Sequence, residues 1–231
     1  MRGTPESSRP TGGGTRQRKP QPSSRGLGST PNSGACISRR VARPILITII
    51  GKSAKDPRDP VPEKALRMAE EVGRLIAERK GIVVTGGLSG VMEAVSRGAK
   101  NAGGVVIGIL PGFDKRDANE FVDIAITTGM GWMRNTLTVR AADAVIMISG
   151  GIGTLNELTV AYELKPTVIL EGSGGWSDRI REAAYAGKHL EEAGIAELHF
   201  AKTPEEAVDL ALELAATGRD AARVVEREFK S

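Results

Sequence analysis

One short stretch gathers the residue types that could handle a small anionic ligand: Ser149-Gly150-Gly151-Ile152-Gly153-Thr154-Leu155-Asn156-Glu157. The apolar run before it, residues 144–148, reads as a buried parallel strand. Leu155, Leu158, Ala161 and Tyr162 after it fall on one face of a helix. The glycines thus occupy a strand-to-helix turn, where the first helical amides are unpaired and the helix dipole is positive. Gly150, Gly151, Gly153 and Thr154 then form a seat for a phosphate or a carboxylate from backbone alone. A carboxylate beside such a seat repels an anion, so Glu157 needs a reason of its own. It either closes a capping box with Thr154 or meets a ribose or a water. Arg134 has the planar fork to grip a phosphate oxygen, or it is a surface cation.

Other strand ends repeat the theme. Gly51-Lys52-Ser53 follows a strong apolar run but lacks the upstream glycine of a P-loop, since Leu46 stands in its place. Gly51 and Ser53 remain candidates for ligand contact at a strand end. Gly86-Gly87-Leu88-Ser89-Gly90 opens a second glycine turn into a helix, and Gly112 and Gly129 mark two more ends. Gly151-Ile152-Gly153-Thr154-Leu155-Asn156 comes close to a dinucleotide fingerprint but ends in Asn156 rather than glycine. Glu171, about 20 residues beyond Gly151, stands where such enzymes place a ribose-binding acid. That spacing keeps a dinucleotide oxidoreductase as a third reading.

The elements that must position these groups follow from periodicity. Strands are expected over residues 44–50, 81–85, 105–110, 122–127, 143–148, 166–170 and 196–201. Helices are expected over 62–80, through 91–99, over 129–142, from 154 to 164, near 177–186 and over 203–216. Strand and helix alternate with short connections, which argues an open, doubly wound, mainly parallel sheet of six or seven strands in a single α/β domain. Ligands of such sheets bind outside the strand C-termini, and all the candidate turns lie there.

Composition sets limits. Aromatic residues make up only 3% of the chain, so stacking platforms for single-stranded nucleic acid are scarce. The net charge of +4 is unevenly placed: residues 1–43 hold nine Lys/Arg against Glu6 alone, which leaves the remainder at −4. The folded body therefore gives no reason to expect nucleic-acid or membrane binding. Residues 1–43 are expected to be a disordered basic tail. Residues 44–216 would form the nucleotide-binding domain and 217–231 a C-terminal extension. One cysteine, Cys36, suits a reducing, cytoplasmic compartment. Two histidines and no Cys/His cluster make a metal site an unwarranted expectation. No apolar run reaches the length of a spanning helix.

Four motifs recur here in a familiar order: Gly86-Gly87-x-x-Gly90-Val91-Met92, Gly103-Gly104-x-x-x-Gly108-x-x-Pro111, Met130-x-x-x-Arg134 and Gly150-Gly151-x-Gly153-Thr154-x-x-Glu157. Over roughly residues 44–211 the chain resembles the Lonely-guy family, also called lysine-decarboxylase-like. Thr128-Gly129-Met130-Gly131, Arg134-Asn135 and Gly174-Gly175-Trp176 resemble its branch of molybdenum-cofactor carrier proteins. The resemblance implies a Rossmann-like fold, a homodimer, and hydrolysis of the N-glycosidic bond of a nucleoside 5′-monophosphate to base and ribose 5-phosphate, with no cofactor required. It assigns the catalytic Arg and Glu to Arg134 and Glu157, and the phosphate-holding turn to Gly150, Gly151, Gly153 and Thr154. It also brings Met130 and Asn135 into the nucleotide site. Two positions depart from the hydrolase pattern: Ser149 replaces a proline and Asn135 a basic residue. The alternative these imply is a non-catalytic carrier of molybdopterin or a related phosphorylated pterin.

Overall fold

The computed structural model describes residues 43–217. The expectations for the basic tail, and for nearly all of the C-terminal extension, lie outside those residues. The order of elements is β1 (Leu46–Gly51), α1 (Glu63–Glu78), β2 (Ile82–Thr85), α2 (Val91–Asn101), β3 (Val106–Leu110), β4 (Ile124–Thr127), α3 (Asn135–Arg140), β5 (Ala144–Ile148), α4 (Ile152–Leu164), β6 (Thr167–Leu170), α5 (Ile180–Ala183), β7 (Leu198–Ala201) and α6 (Pro204–Thr217). The seven strands form one sheet, every pair parallel, in the order β4-β3-β2-β1-β5-β6-β7. This is the doubly wound parallel α/β sheet expected from the alternating pattern, and the Rossmann-like fold that the resemblance implies.

Alternation along each strand divides the core. Ile47 and Ile49 of β1, with Ala144, Ile146 and Ile148 of β5, face α1, α2 and α6. Ile50, Val145 and Met147 face the other way, against Leu158 and Tyr162 of α4. Both layers are almost wholly aliphatic, and burying each Ile, Leu or Val contributes roughly 1.5–3 kcal/mol. No helix among the described residues is long and apolar enough to cross a membrane.

The chain leaves β1 for β2 on one side and returns to β5 on the other, with Gly51 in register with Ile148. The C-terminal ends of β1 and β5 thus flank the topological switch point, where a doubly wound sheet opens a crevice. The loop after Gly51 and the glycine turn after Ile148 leave the sheet at these two strand ends.

β4 and β7 each start two residues later than expected, and three further differences from the periodicity bear on the site. The helix expected over 129–142 is a 3₁₀ turn, Gly131–Arg134, followed by the short α3. Gly129 and Gly131 have φ of +64° and +55°, which a right-handed helix excludes. The helix expected near 177–186 shrinks to α5 behind a 3₁₀ turn, Gly175–Asp178. The third lies at α4, which starts two residues early, at Ile152 with Gly151 as its N-cap.

Candidate active site at the switch point

The early start of α4 decides what its N-terminus offers. No side chain caps it, and Leu155 N is the first amide to find a helical acceptor, Gly151 O at 3.0 Å. The amides of Gly150, Gly151, Ile152, Gly153 and Thr154 donate to no acceptor among the described residues. A Cβ built on Gly151 would have nothing within 4 Å, so the turn borders open space at that residue. Five free amides at the positive end of a 13-residue helix are an arrangement that favours an anion.

Glu157 lies five residues into α4, about 7.5 Å further along the axis. It is buried and does not reach back to cap the helix. Its Oε1 accepts from Arg134 Nη1 at 3.2 Å. The capping-box alternative therefore fails: the box needs Thr154 at the N-cap, and Thr154 is the third residue of the helix. Arg134 is likewise buried rather than a surface cation. Its Nη1 also donates to Asn135 Oδ1 at 3.1 Å and to Thr138 Oγ1 at 3.4 Å. Its Nε is buried without an acceptor. A buried guanidinium donor left open costs about 1–3 kcal/mol unless a ligand or a water takes it.

Burial decides the protonation of the pair. Desolvation pushes the Glu157 carboxyl up to about 7, with the Arg134 charge holding back a larger rise. Desolvation also lowers the Arg134 guanidinium, against the pull of Glu157. A carboxyl that exchanges its proton near neutrality, beside a fixed cation, can serve either as acid or as base.

The remaining candidates divide by cause. Gly86 is where it is because of Arg134: a Cβ there would overlap Nη2 and lie 2.7 Å from Met92 Sδ. The second glycine turn therefore joins the site as the wall of the arginine's pocket. Gly150 has φ +122°, and a Cβ on it would press on Met147 and Thr154. Gly153 sits beside the Trp132 ring, 3.7 Å from its Cβ position. Gly51 has a packing cause: a Cβ there would overlap Val91 and lie 2.7 Å from Ile148 O. Gly87 turns the chain at φ +72°, its amide donating to Thr85 Oγ1 at 2.8 Å. Gly129 closes over the Phe113 ring, and Gly112 O accepts from Gly129 N at 3.0 Å. Ser53 is half-buried and passes close under Gly90 at the start of α2. Met130 is largely exposed. Asn135 is buried and committed to protein partners, with Nδ2 donating to Asn156 Oδ1 at 2.8 Å. Glu171 is held by Arg181 at 2.8 Å, which occupies it with a surface ion pair and removes the motive for a ribose-binding acid.

Three participants escaped the sequence reading. Thr138 lies four residues after Arg134, on the same helical face, and the i, i+4 spacing was the available signal. Asn156 and Trp132 carry no such signal, because their partners come from other elements. Ser149 at φ +58° adds a constraint on its own position. Proline, locked near −65°, cannot occupy that backbone conformation. Its Oγ is buried without a partner, so no base activates it as a nucleophile.

Known proteins resemble the chain over this domain. An uncharacterized protein of Archaeoglobus fulgidus is 46% identical over 118 residues, 48% of this chain and 77% of that protein. A cytokinin riboside 5′-monophosphate phosphoribohydrolase of Mycobacterium tuberculosis is 35% identical over 106 residues, 45% of this chain and 57% of that enzyme. The solved structure of the molybdenum cofactor carrier protein of Chlamydomonas reinhardtii superposes with a TM-score of 0.62 at 32% identity, covering 75% of this chain and 99% of that one. The SLOG cluster4 family model matches residues 44–208, the same span that carries the glycine turns, Arg134 and Glu157, and the chain belongs to that family.

Proposed function

We propose that the crevice binds a phosphorylated nucleotide-like ligand and hydrolyses the N-glycosidic bond of a nucleoside 5′-monophosphate. One observation carries this reading: the free amides open α4, and Glu157, paired with Arg134 from the turn before α3, lies on that same helix about a turn and a half further on. A 5′-phosphate on the amides would direct its ribose toward the carboxyl. Water adds to C1′ as the C1′–N bond breaks, and the bond's electron pair leaves with the base, which takes a proton. Positive charge builds on the ribose ring on the way, as in sugar hydrolysis. The Glu157 carboxylate stabilises that charge and receives the water's proton. Arg134 keeps the carboxylate oriented and offers Nε to a ligand oxygen. Phosphate binding remote from the reacting bond holds C1′ in place. The Mycobacterium tuberculosis relative, a phosphoribohydrolase by name, supports this direction.

A second reading, a carrier that holds a phosphorylated pterin such as molybdenum cofactor without cleaving it, is favoured by Asn135. The residue after the arginine is here an uncharged amide locked onto Asn156. The likeness to the Chlamydomonas carrier points the same way. Incubation with a panel of 5′-mononucleotides and assay of free base separates the two. Release that is lost in Glu157→Gln supports hydrolysis. Saturable thermal stabilisation by AMP, GMP or a pterin phosphate without product supports the carrier.

A homodimer belongs to the same reading. Thr48 points toward α3, bonding Thr138 O at 2.7 Å, and the register carries that face outward through Val84 and Ile107 to Ile124. On β4 this face is uncovered: Ile124 and Ile126 are 48% and 46% exposed, and Met133 and Leu137 nearby are also open. An apolar face of this kind supports pairing with a second copy. A cytoplasmic setting, where nucleoside monophosphates are made and used, completes the reading.

A further inference from the structure

We propose that residues 172–178, between β6 and α5, form a clamp that aims the anion seat, with Ser173, Ser177 and Asp178 as positioning residues. The inference rests on the reading of the α4 N-terminus as a phosphate seat, and it names what sets that seat's geometry.

Three backbone groups at the start of the turn are bonded into this segment. Ser149 N donates to Ser173 Oγ at 2.7 Å, and that hydroxyl donates onward to Leu170 O at 2.7 Å. Ser149 O accepts from Ser177 N at 3.1 Å and from Ser177 Oγ at 2.8 Å. Gly150 O accepts from Trp176 N at 3.2 Å. In a trans peptide the carbonyl and the following N–H point in opposite directions. Drawing Ser149 O and Gly150 O toward residues 176 and 177 therefore fixes the Gly150 and Gly151 N–H groups in the direction opposite to those carbonyls, at Gly151 toward open space. The same bonds hold Ser149 at φ +58°, a conformation that residues with a side chain avoid.

The clamp needs a brace of its own. Gly172, Gly174 and Gly175 all have positive φ, and a Cβ on Gly175 would lie 2.9 Å from Gly150 N. The conformational freedom of these glycines favours an open loop. Asp178, exposed on the outside, ties it: its carboxylate accepts from Gly172 N at 2.6 Å and from Gly174 N at 3.0 Å. The hydrogen bonds of the Asp178 carboxylate among the described residues go to Gly172 and Gly174, not to the seat or the Arg134–Glu157 pair, so an effect on anion binding would pass through the clamp.

The test is a ¹⁵N-amide titration of the full chain with inorganic phosphate and with AMP, on the wild type, Asp178→Ala and Ser173→Ala. Wild-type amides of residues 150–154 should shift saturably. Both variants should bind each anion about 3- to 10-fold more weakly, the effect of one or two lost hydrogen bonds. The pH titration of the Glu157 carboxyl should stay unchanged in Asp178→Ala, whereas general loosening would move it toward its ordinary value. Should Ser173→Ala fail to fold, the exposed Asp178→Ala carries the result. Absence of any shift at 150–154 in the wild type overturns the seat, and the clamp with it. Wild-type binding matched by equal affinity in the variants, or a displaced Glu157 titration, overturns the clamp alone.

Discussion

Replacing Glu157 with glutamine keeps the shape of the side chain and removes its titration, which isolates the physical claim that burial outweighs pairing at the site. The carboxyl rises from an ordinary 4.5 to about 7. At about 1.4 kcal/mol per pH unit, that displacement is worth on the order of 3 kcal/mol. The sign follows from proton counting. Between pH 4.5 and 7 the unfolded chain has released this proton while the folded chain retains it, so the unfolded state binds fewer protons and stability falls as pH rises. Below 4.5 both forms carry the proton, and glutamine is a close mimic of the neutral acid. Above 7 the wild type alone holds a buried charge. Urea unfolding of both proteins across pH 4–8 should therefore show Glu157→Gln near wild type in acid and gaining about 3 kcal/mol on it by pH 8. The activity of the wild type should share the inflection near 7. A stability difference that does not change with pH would refute the claim that burial dominates. A wild type that gains on the variant as pH rises would show instead that Arg134 holds the carboxylate in its charged form.

Gly86→Ala would press a methyl onto Arg134 Nη2 and Met92 Sδ. Overpacking there should cost about 1–3 kcal/mol in urea denaturation. By moving the arginine it should also raise the Glu157 titration further. Gly151→Ala is the complementary case, since the residue has an extended backbone and open space around its Cβ position. Stability should stay within about 0.5 kcal/mol of wild type, while a methyl in the seat lowers phosphate and AMP affinity about tenfold or more, read by calorimetry. The two tryptophans of the chain both adjoin the seat, Trp132 beside Gly153 and Trp176 through its bond to Gly150 O. Their emission should change on ligand saturation, and an unchanged spectrum at saturating AMP would place the ligand elsewhere.

The centre of the sheet was legible because its strands there are covered on both faces. Residues 44–50 and 144–148 read as largely apolar runs, and such runs mark central parallel strands. The glycine turns were legible for the same reason, as sharp breaks after those runs. Arg134 was harder to place. Helical periodicity cannot register the positive φ of Gly129 and Gly131, so the 3₁₀ turn that swings Arg134 inward was read as plain helix. The pairing of Arg134 with Glu157 crosses 23 residues and two elements, and only the packing of α3 on α4 brings the two together. Glu157 itself was ambiguous, because Thr154-x-x-Glu157 matches a capping box letter for letter. Position within the helix decided it: an N-cap at Gly151 turns Glu157 to the buried face. The reasons for individual glycines were equally hidden. Gly51 yields to Val91 and Gly86 to Arg134, contacts between residues far apart in the chain.

The most direct measurement is a crystal structure with a bound 5′-mononucleotide. The expected result places phosphate oxygens within hydrogen-bonding distance of the amides of residues 150–154, with the ribose against Glu157 and a ligand oxygen on Arg134 Nε. A phosphate bound elsewhere, or a ribose turned away from Glu157, would contradict the assignment of this crevice as the site.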